Sequence, residues 1–283
     1  MLKGKPFVKW AGGKRQIINK LKEYVPDNFN TYYEPFVGGG ALLFELSPKK
    51  AIINDYNSEL INVYNCIKDE KKFNKMCIEL NHYENKHSEE FYYEIRNKDR
   101  DKTKFNRMID YKRAARTIYL NKSCFNGMYR VNKNNEFNVP FNGKDSEKLN
   151  LFDSQNLDNI SLFLQKNNIE ILNNDFEYVL EKSHKGDFVF CDPPYDYENN
   201  KHGFDSYTKD SFGQEGQIRL ANCLIGLDKK GVKWMMTNHN TSLIQTLYKD
   251  FQIIPIVTNR NINSKGNKRK NSGKEVIVIN YEK

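Results

Sequence analysis

The chain has 283 residues, enough to bury one sizeable core and carry a smaller insert. With 38% hydrophobic and 29% charged residues it has the make-up of an ordinary folded protein, and it lacks the run of roughly 18 apolar residues that marks a membrane span. A net charge of +9 excludes little but favours a polyanionic partner.

The start, from Met1 to Pro6, lacks the apolar segment of a signal peptide, so a cytosolic location is expected. Next stands Phe7-Val8-Lys9-Trp10-Ala11-Gly12-Gly13-Lys14, in which Trp10 offers an aromatic wall and Lys14 a cation for a carboxylate. Short β-type runs are predicted over Thr31–Glu34, Ala51–Asn54, Ile169–Leu172, Asp187–Cys191, Val232–Thr237 and Phe251–Val257. Pro255 in the last run suits an edge position, because proline cannot donate to a neighbouring strand. Helices are predicted over Ala41–Leu46, Phe176–Lys182, Gln214–Gly226 and Thr241–Lys249. Strands alternating with helices point to an α/β fold on a largely parallel sheet. The closing run Glu275–Tyr281 alternates in β fashion and could pair back as a hairpin.

The middle breaks this rhythm. From Ser58 to about Gln165 apolar residues recur at spacings of three and four, as in Leu60-Ile61-x-Val63-Tyr64-x-x-Ile67, so an inserted helical domain over 58–165 is expected. Residues 1–57 and 166–283 then form the catalytic part. Arg96 to Lys133 holds twelve Lys or Arg against three Asp, and Thr258 to Lys274 holds six against no acid. Two basic runs flanking a catalytic motif suggest phosphate contacts, although a single such run is more often a solvated face. The five cysteines and five histidines show no metal-ligand spacing, so neither a metal site nor a disulfide framework is expected.

Three strand ends carry chemistry. In Glu34-Pro35-Phe36-Val37-Gly38-Gly39-Gly40-Ala41 a strand leads through glycines into a helix, a turn where backbone approaches a ligand closely. The following strand ends in Asp55, placed to accept from both hydroxyls of a ribose. Together they imply an adenosine-bearing ligand. A third end, Asn173-Asn174-Asp175-Phe176, adds a carboxylate and a ring, with helix capping by Asp175 as a compatible role.

Asp192-Pro193-Pro194-Tyr195 is the most specific signal. Two prolines stop the strand and stiffen a loop at the sheet's carboxyl edge. The Asp192 carboxylate and the Pro193 carbonyl can then both accept from one planar NH2 group, while Tyr195 offers a stacking ring. Two acceptors on those hydrogens favour a more sp3-like nitrogen, whose freed lone pair can attack an activated methyl group.

These motifs, in this order, resemble the Dam family of DNA adenine-N6 methyltransferases, and within it the GATC enzymes of restriction–modification systems. The resemblance covers nearly the whole chain, including Asn126-Gly127-Met128-Tyr129-Arg130 and Phe137-Asn138-Val139-Pro140-Phe141, which look like that family's target-recognition hairpin. It implies a Rossmann-like core, S-adenosylmethionine as cofactor without a metal, and double-stranded DNA as substrate, with a cognate endonuclease acting on the same site. It places cofactor contacts on Trp10, Lys14, Phe36, Gly38, Gly40, Asp55, Asp175, Phe176 and Asp192, and catalysis on Asp192, Pro193, Pro194 and Tyr195. Phe125 falls where an aromatic wedges into the opened stack, with Asn126, Met128, Arg130 and Pro140 near the bases and Lys9 near the outer guanine. Asn142-Gly143-Lys144 departs from the Gly-Arg-Tyr type run of many members. The alternatives are an RNA adenine or protein-amide methyltransferase, or a silent module that binds cofactor and nucleic acid. Asp rather than Asn before Pro-Pro-Tyr disfavours the protein amide, and an intact motif disfavours the silent module.

Overall fold

Side-chain alternation decides how this chain layers. The computed structural model describes residues 3–10, 12–143, 152–198, 212–256 and 275–283. Lys144, residues 201–210, Val257 and the basic run Thr258–Lys274 lie outside them. Seven strands form one sheet: β1 (Tyr32–Glu34), β2 (Lys50–Asn54), β3 (Asn168–Leu172), β4 (Phe188–Cys191), β5 (Lys233–His239), β6 (Gln252–Ile256) and β7 (Glu275–Ile279). Their order is β3-β2-β1-β4-β5-β7-β6. The first five are parallel, and β7 runs antiparallel to both its neighbours.

Each expected strand is present to within one or two residues where described. β6 with its Pro255 is at the sheet edge, as expected for a residue that cannot donate to a ladder. The closing run pairs antiparallel with the preceding strand β6, as the expected hairpin, and it pairs with β5 as well, so β7 lies between β5 and β6 with all five of its residues buried. A Val-Ile-Val-Ile run apolar on both faces can occupy such a position, whereas an edge would leave one face in water.

Helices cover both faces. Along each strand alternate residues enter separate cores, because successive side chains of a strand point to opposite faces of the sheet. Tyr32, Ile53, Phe188, Phe190, Met235 and Ile277 face one, and Tyr33, Val189, Trp234, Met236 and Val278 the other. The second face is closed by α9 (Phe176–Glu181), α10 (Gly213–Lys229) and α11 (Ser242–Leu247). The first is closed by α1 (Ile18–Tyr24), α2 (Ala41–Leu46), α3 (Ser58–Lys68) and α8 (Ser154–Lys166). Beyond them α4 (Glu70–Asn85), α5 (Glu89–Asn97), α6 (Lys102–Asn106) and α7 (Asp110–Ser123) continue the helical stretch. The core of the first face runs without a break from the sheet through α3 and α8 into α4 and α7. Side-chain caps start most of these helices: Asn57, Asp69, Ser88, Asp101 and Asp153 each accept from a first-turn N–H.

Helix α7 is buried from Ala114 to Asn121, including the charged Arg116. That charge is satisfied inside the fold. Arg116 pairs with buried Asp99 at 2.7 Å and donates to the carbonyls of Ile95 and Arg96. Asp99 in turn accepts from the Phe137 N–H at 2.8 Å, and Arg100 donates to the Phe137 carbonyl at 2.7 Å. This ionic group fastens the segment after α7 to the helices beneath it. That segment, 128–141, runs out and back through isolated antiparallel bridges (Val131 with Phe137, Cys124 with Phe141) without forming regular strands.

All five cysteines are free. Cys66, Cys124 and Cys191 are buried, Cys77 and Cys223 half-buried. Burial pushes the Cys66 and Cys124 thiols up to about 12 and those of Cys77 and Cys223 to about 11, and it drives Cys191 well above its ordinary value. Among the described residues no helix is long and apolar enough to cross a membrane.

Removing one partner of a buried ion pair strands the other charge. Asp99→Ala should therefore lower unfolding stability by about 3–5 kcal/mol in urea denaturation. A loss of only about 1 kcal/mol or less would mean the pair behaves as a hydrated surface bridge.

Candidate active site

Five parallel strands end along one edge, and the chain reverses its winding between β1 and β4, the place where open α/β sheets bind ligands. Asparagines stitch these ends together. Buried Asn54 donates to the carbonyls of Pro35 and Asn174, both at 3.0 Å, and accepts from the Asn174 N–H at 2.8 Å. Asn173 donates to the carbonyl of Asp55 at 2.8 Å. None of this polar stitching was legible in the sequence, because apart from the Asn54–Pro35 bond its partners are over a hundred residues apart.

The glycine loop follows β1. Gly38 and Gly40 both have positive φ, 47° and 71°. A side chain at either would also collide: a Cβ on Gly38 would stand 2.9 Å from Trp10 Cδ1, and one on Gly40 2.7 Å from the Tyr64 hydroxyl. The Gly38 N–H donates to Asp55 at 3.0 Å, and the Asn57 N–H donates to the other carboxylate oxygen at 2.9 Å. Asp55 thus locks the loop to the start of α3 while keeping lone pairs for further donors. Burial pushes its carboxyl from 3.8 up to about 6, against the opposing pull of those two N–H groups. Glu34, at the end of β1, accepts from the Tyr32 hydroxyl at 2.9 Å, and burial raises it well above the carboxylate range.

Beside the loop the rings of Phe36 and Phe176 lie 5.4 Å apart, and Phe212 packs against both at 5.7 Å. Phe212 was missed in the sequence, where nothing distinguishes it from a core residue of α10. Asp175 caps α9 through the Glu177 N–H at 2.9 Å. It also pairs with Arg219 at 2.9 Å, whose guanidinium lies 4.9 Å from the Phe176 ring centre.

After β4 comes the Asp-Pro-Pro-Tyr loop, gripped from several sides. Thr237 donates to Asp192 Oδ1 at 2.7 Å, and Lys14 pairs with the same oxygen at 2.7 Å. Lys14 is only 4% exposed; it also donates to the Gly12 carbonyl and lies 4.6 Å from the Tyr195 ring centre. The amide of buried Gln217 donates to the Pro194 carbonyl at 2.7 Å, and the Asp196 N–H to Asn238 at 2.9 Å. His239 packs edge-on against both Tyr195 and Tyr197, at 4.8 and 4.7 Å. Thr237, Asn238 and His239 are consecutive at the end of β5, so the neighbouring strand supplies much of what holds the loop.

The residues assigned to DNA gather on another face. Phe125 is half-exposed at 50% and Asn126 exposed, in a turn where Asn126 adopts a left-handed φ of 57°. The Phe125 N–H donates to the Pro140 carbonyl at 2.9 Å. Along 128–141 Tyr129, Val131, Phe137, Val139 and Phe141 are buried, while Met128, Arg130 and Asn138 are half-buried and Pro140 exposed. This alternation turns Met128, Arg130 and Pro140 outward together. Arg130 Nε donates to Asn138 at 2.8 Å. Exposed Lys9 lies across Gly127, and Trp10 stacks on Tyr129 at 5.1 Å, so the N-terminal segment touches both the glycine loop and this face.

A mixed sheet of this make-up is consistent with the fold of S-adenosylmethionine-dependent methyltransferases. Comparison with known proteins narrows the class. The family model described as D12 class N6 adenine-specific DNA methyltransferase matches residues 10–262, and the chain belongs to that family. It is therefore an enzyme that methylates adenine N6 in DNA, and membership implies use of S-adenosylmethionine. The chain is 42% identical to the type II methyltransferase M1.LlaDCHI of Lactococcus lactis subsp. cremoris, over 98% of its own length and 95% of that protein's. It is also 42% identical to the type II methyltransferase M.MjaIII of Methanocaldococcus jannaschii, over 98% and 99%. With the DNA adenine methylase of Escherichia coli K12 it shares 30% identity over 95% and 93%. Among the described residues no group of His, Cys, Asp and Glu is arranged to hold a metal ion.

Asp55 sets a pH dependence. Its folded value lies above the unfolded one, so the fold favours the protonated carboxyl. That contribution to stability is full below pH 3.8 and is lost as pH rises through about 6. For the ribose role expected of Asp55 the sign is opposite, because the ionised carboxylate is the stronger acceptor. Cofactor affinity, measured by calorimetric titration, should fall by up to about tenfold per pH unit below about pH 6. Asp55→Asn should bind more weakly and flatten that profile; an equal pH slope in the variant would assign the titration to another group.

Proposed function

We propose that this enzyme methylates the adenine of GATC in double-stranded DNA after everting it from the helix. The proposal is carried by Asp192, whose carboxylate is fixed on one oxygen by Lys14 and Thr237 next to the glycine loop. With Oδ1 engaged, Oδ2 is the oxygen assigned to the target amino group, and the Pro193 carbonyl is its second acceptor. Tyr195 gives the everted base a ring to stack on. Both acceptors draw on the N6 hydrogens, so the nitrogen lone pair is released from the ring, and Oδ2 is where the departing N6 proton is held. Preorganised acceptors in a water-poor site lower the barrier because they need no reorganisation at the moment of reaction.

The residues at the sheet edge fit the adenosine-bearing cofactor. Gly38 and Gly40 let backbone approach, Asp55 accepts from the ribose, and Phe36 and Phe176 wall the base, with Asp175 beside it. Trp10 and Lys14 flank the methionine end. When bound, the cofactor supplies an electrophilic methyl group on a sulfonium.

Target recognition is assigned to the helical insert over 58–165. An adenine amino group is paired and stacked in duplex DNA, so the base must leave the helix, at about a few kcal/mol. Phe125 and Asn126, exposed on their turn, are suited to fill the gap. Arg130 can grip guanine O6 and N7, Met128 and Pro140 suit a thymine methyl, and Lys9 reaches the outer guanine. Relatives named type II methyltransferases support a cognate endonuclease reading the same site.

Transfer of label from tritiated S-adenosylmethionine should occur on GATC duplex and fail on a scrambled duplex and on RNA. Equal labelling of the scrambled duplex would overturn the target assignment, and labelling of RNA the substrate class. Asp192→Ala should abolish transfer while cofactor affinity stays close to the parent's; parallel loss of both would make Asp192 structural.

Arg130→Ala should relax discrimination at one base position by about 1–3 kcal/mol, scored on duplexes substituted one position at a time. Uniform weakening on every sequence would instead make Arg130 a phosphate contact.

A further inference from the structure

Asn121 lies in the last turn of α7 and is fully buried. Its carboxamide accepts from the Lys9 N–H at 2.8 Å and donates to the carbonyls of Lys9, at 2.8 Å, and Gly127, at 3.0 Å. Every polar hydrogen and the oxygen of this side chain therefore serve backbone groups of two other segments. A buried amide adds only modest net stability, since losing water costs much of what its hydrogen bonds return. What it supplies is geometry.

The two segments matter because of what they carry. One is the N-terminal stretch, where Lys9 precedes Trp10 and the Trp10 ring occupies the space that a side chain on Gly38 would need. The other is the turn that exposes Phe125 and holds Asn126 and Gly127 at positive φ, 57° and 66°. The Lys9 side chain fills the place where a Cβ on Gly127 would stand, so the segments also interlock sterically. One side chain thus joins the glycine loop's neighbour to the turn assigned as the wedge.

We infer that Asn121 is a positioning residue for base eversion, setting the height of the Phe125–Gly127 turn against the Lys9–Trp10 segment. The inference rests on the assignment of Phe125 and Asn126 to the opened base stack. Without the carboxamide the turn keeps its sequence but loses its reference to the cofactor side, and the wedge no longer enters the DNA at the level of the target base.

The test uses the full chain with a GATC duplex carrying 2-aminopurine at the target position, whose fluorescence rises on eversion. Asn121→Ala and Asn121→Asp should each lower the eversion signal about tenfold, the size of one ordinary lost hydrogen bond. Asp keeps the acceptor for the Lys9 N–H but cannot donate to either carbonyl. Cofactor affinity of the folded variants should stay near the parent's, while the thermal midpoint falls because buried backbone groups of Lys9 and Gly127 lose their partner. Gly127→Ala disturbs the same junction from the other side, through strain at its positive φ and a Cβ set against the Lys9 side chain, and should show the same loss, which keeps the test decisive if the Asn121 variants do not fold. Unchanged eversion in the folded variants, or eversion and cofactor affinity falling together, would overturn the inference. Phe125→Ala separates it from its premise. If that variant everts the base normally, the wedge assignment fails; if it fails to evert while Asn121 variants evert normally, only the role of Asn121 is lost.

Discussion

One oxygen of Asp192 takes both an ammonium and a hydroxyl, and the arrangement of the sheet edge follows from keeping that carboxylate still. A carboxylate on a loop rotates unless it is pinned, and the two prolines after it stiffen the backbone without fixing the side chain. Thr237 comes from the next strand and Lys14 from the N-terminal segment, so the Asp-Pro-Pro-Tyr loop is referenced to two separate parts of the chain. The rest of the loop is treated alike: Gln217 holds the Pro194 carbonyl, Asn238 the Asp196 N–H, and His239 packs against two tyrosines. Positioning of this kind serves amino-group methylation well, since that reaction asks for aligned lone pairs more than for strong acids or bases.

Much of this was legible beforehand, for reasons particular to each element. β1 to β5 showed as short β-branched and aromatic runs bounded by turns, and a parallel sheet buried on both faces keeps such runs apolar throughout. Pro255 identified an edge, because a missing donor is a local property. By contrast, the insertion of β7 between β5 and β6 is a fact of topology, and the alternation of Val276 to Ile279 is equally compatible with a rim hairpin. Helix α1 escaped notice since its seven residues carry one buried side chain, Leu21, too few for a period.

The site divided along the same line. Glycines, strand-end acids and Asp-Pro-Pro-Tyr are legible because their chemistry is contained in a few consecutive residues. Asn54, Asn121, Gln217, Thr237 and Asn238 are not, since an amide or hydroxyl in sequence gives no sign of whether it faces water or a backbone group a hundred residues away. The sequence offers Lys14 as a cation for a carboxylate, but its place between Asp192 and the Tyr195 ring depends on how the N-terminal segment crosses the sheet edge.

The thiols give the molecule an internal gauge of opening. Thiolate is the species that alkylating reagents capture, and burial disfavours it at Cys191, the last residue of β4 and the neighbour of Asp192. Capture of Cys191 by such reagents thus measures how often this strand opens. A bound ligand that clamps the strand ends will slow capture at Cys191 more than at Cys77, on the remote helix α4.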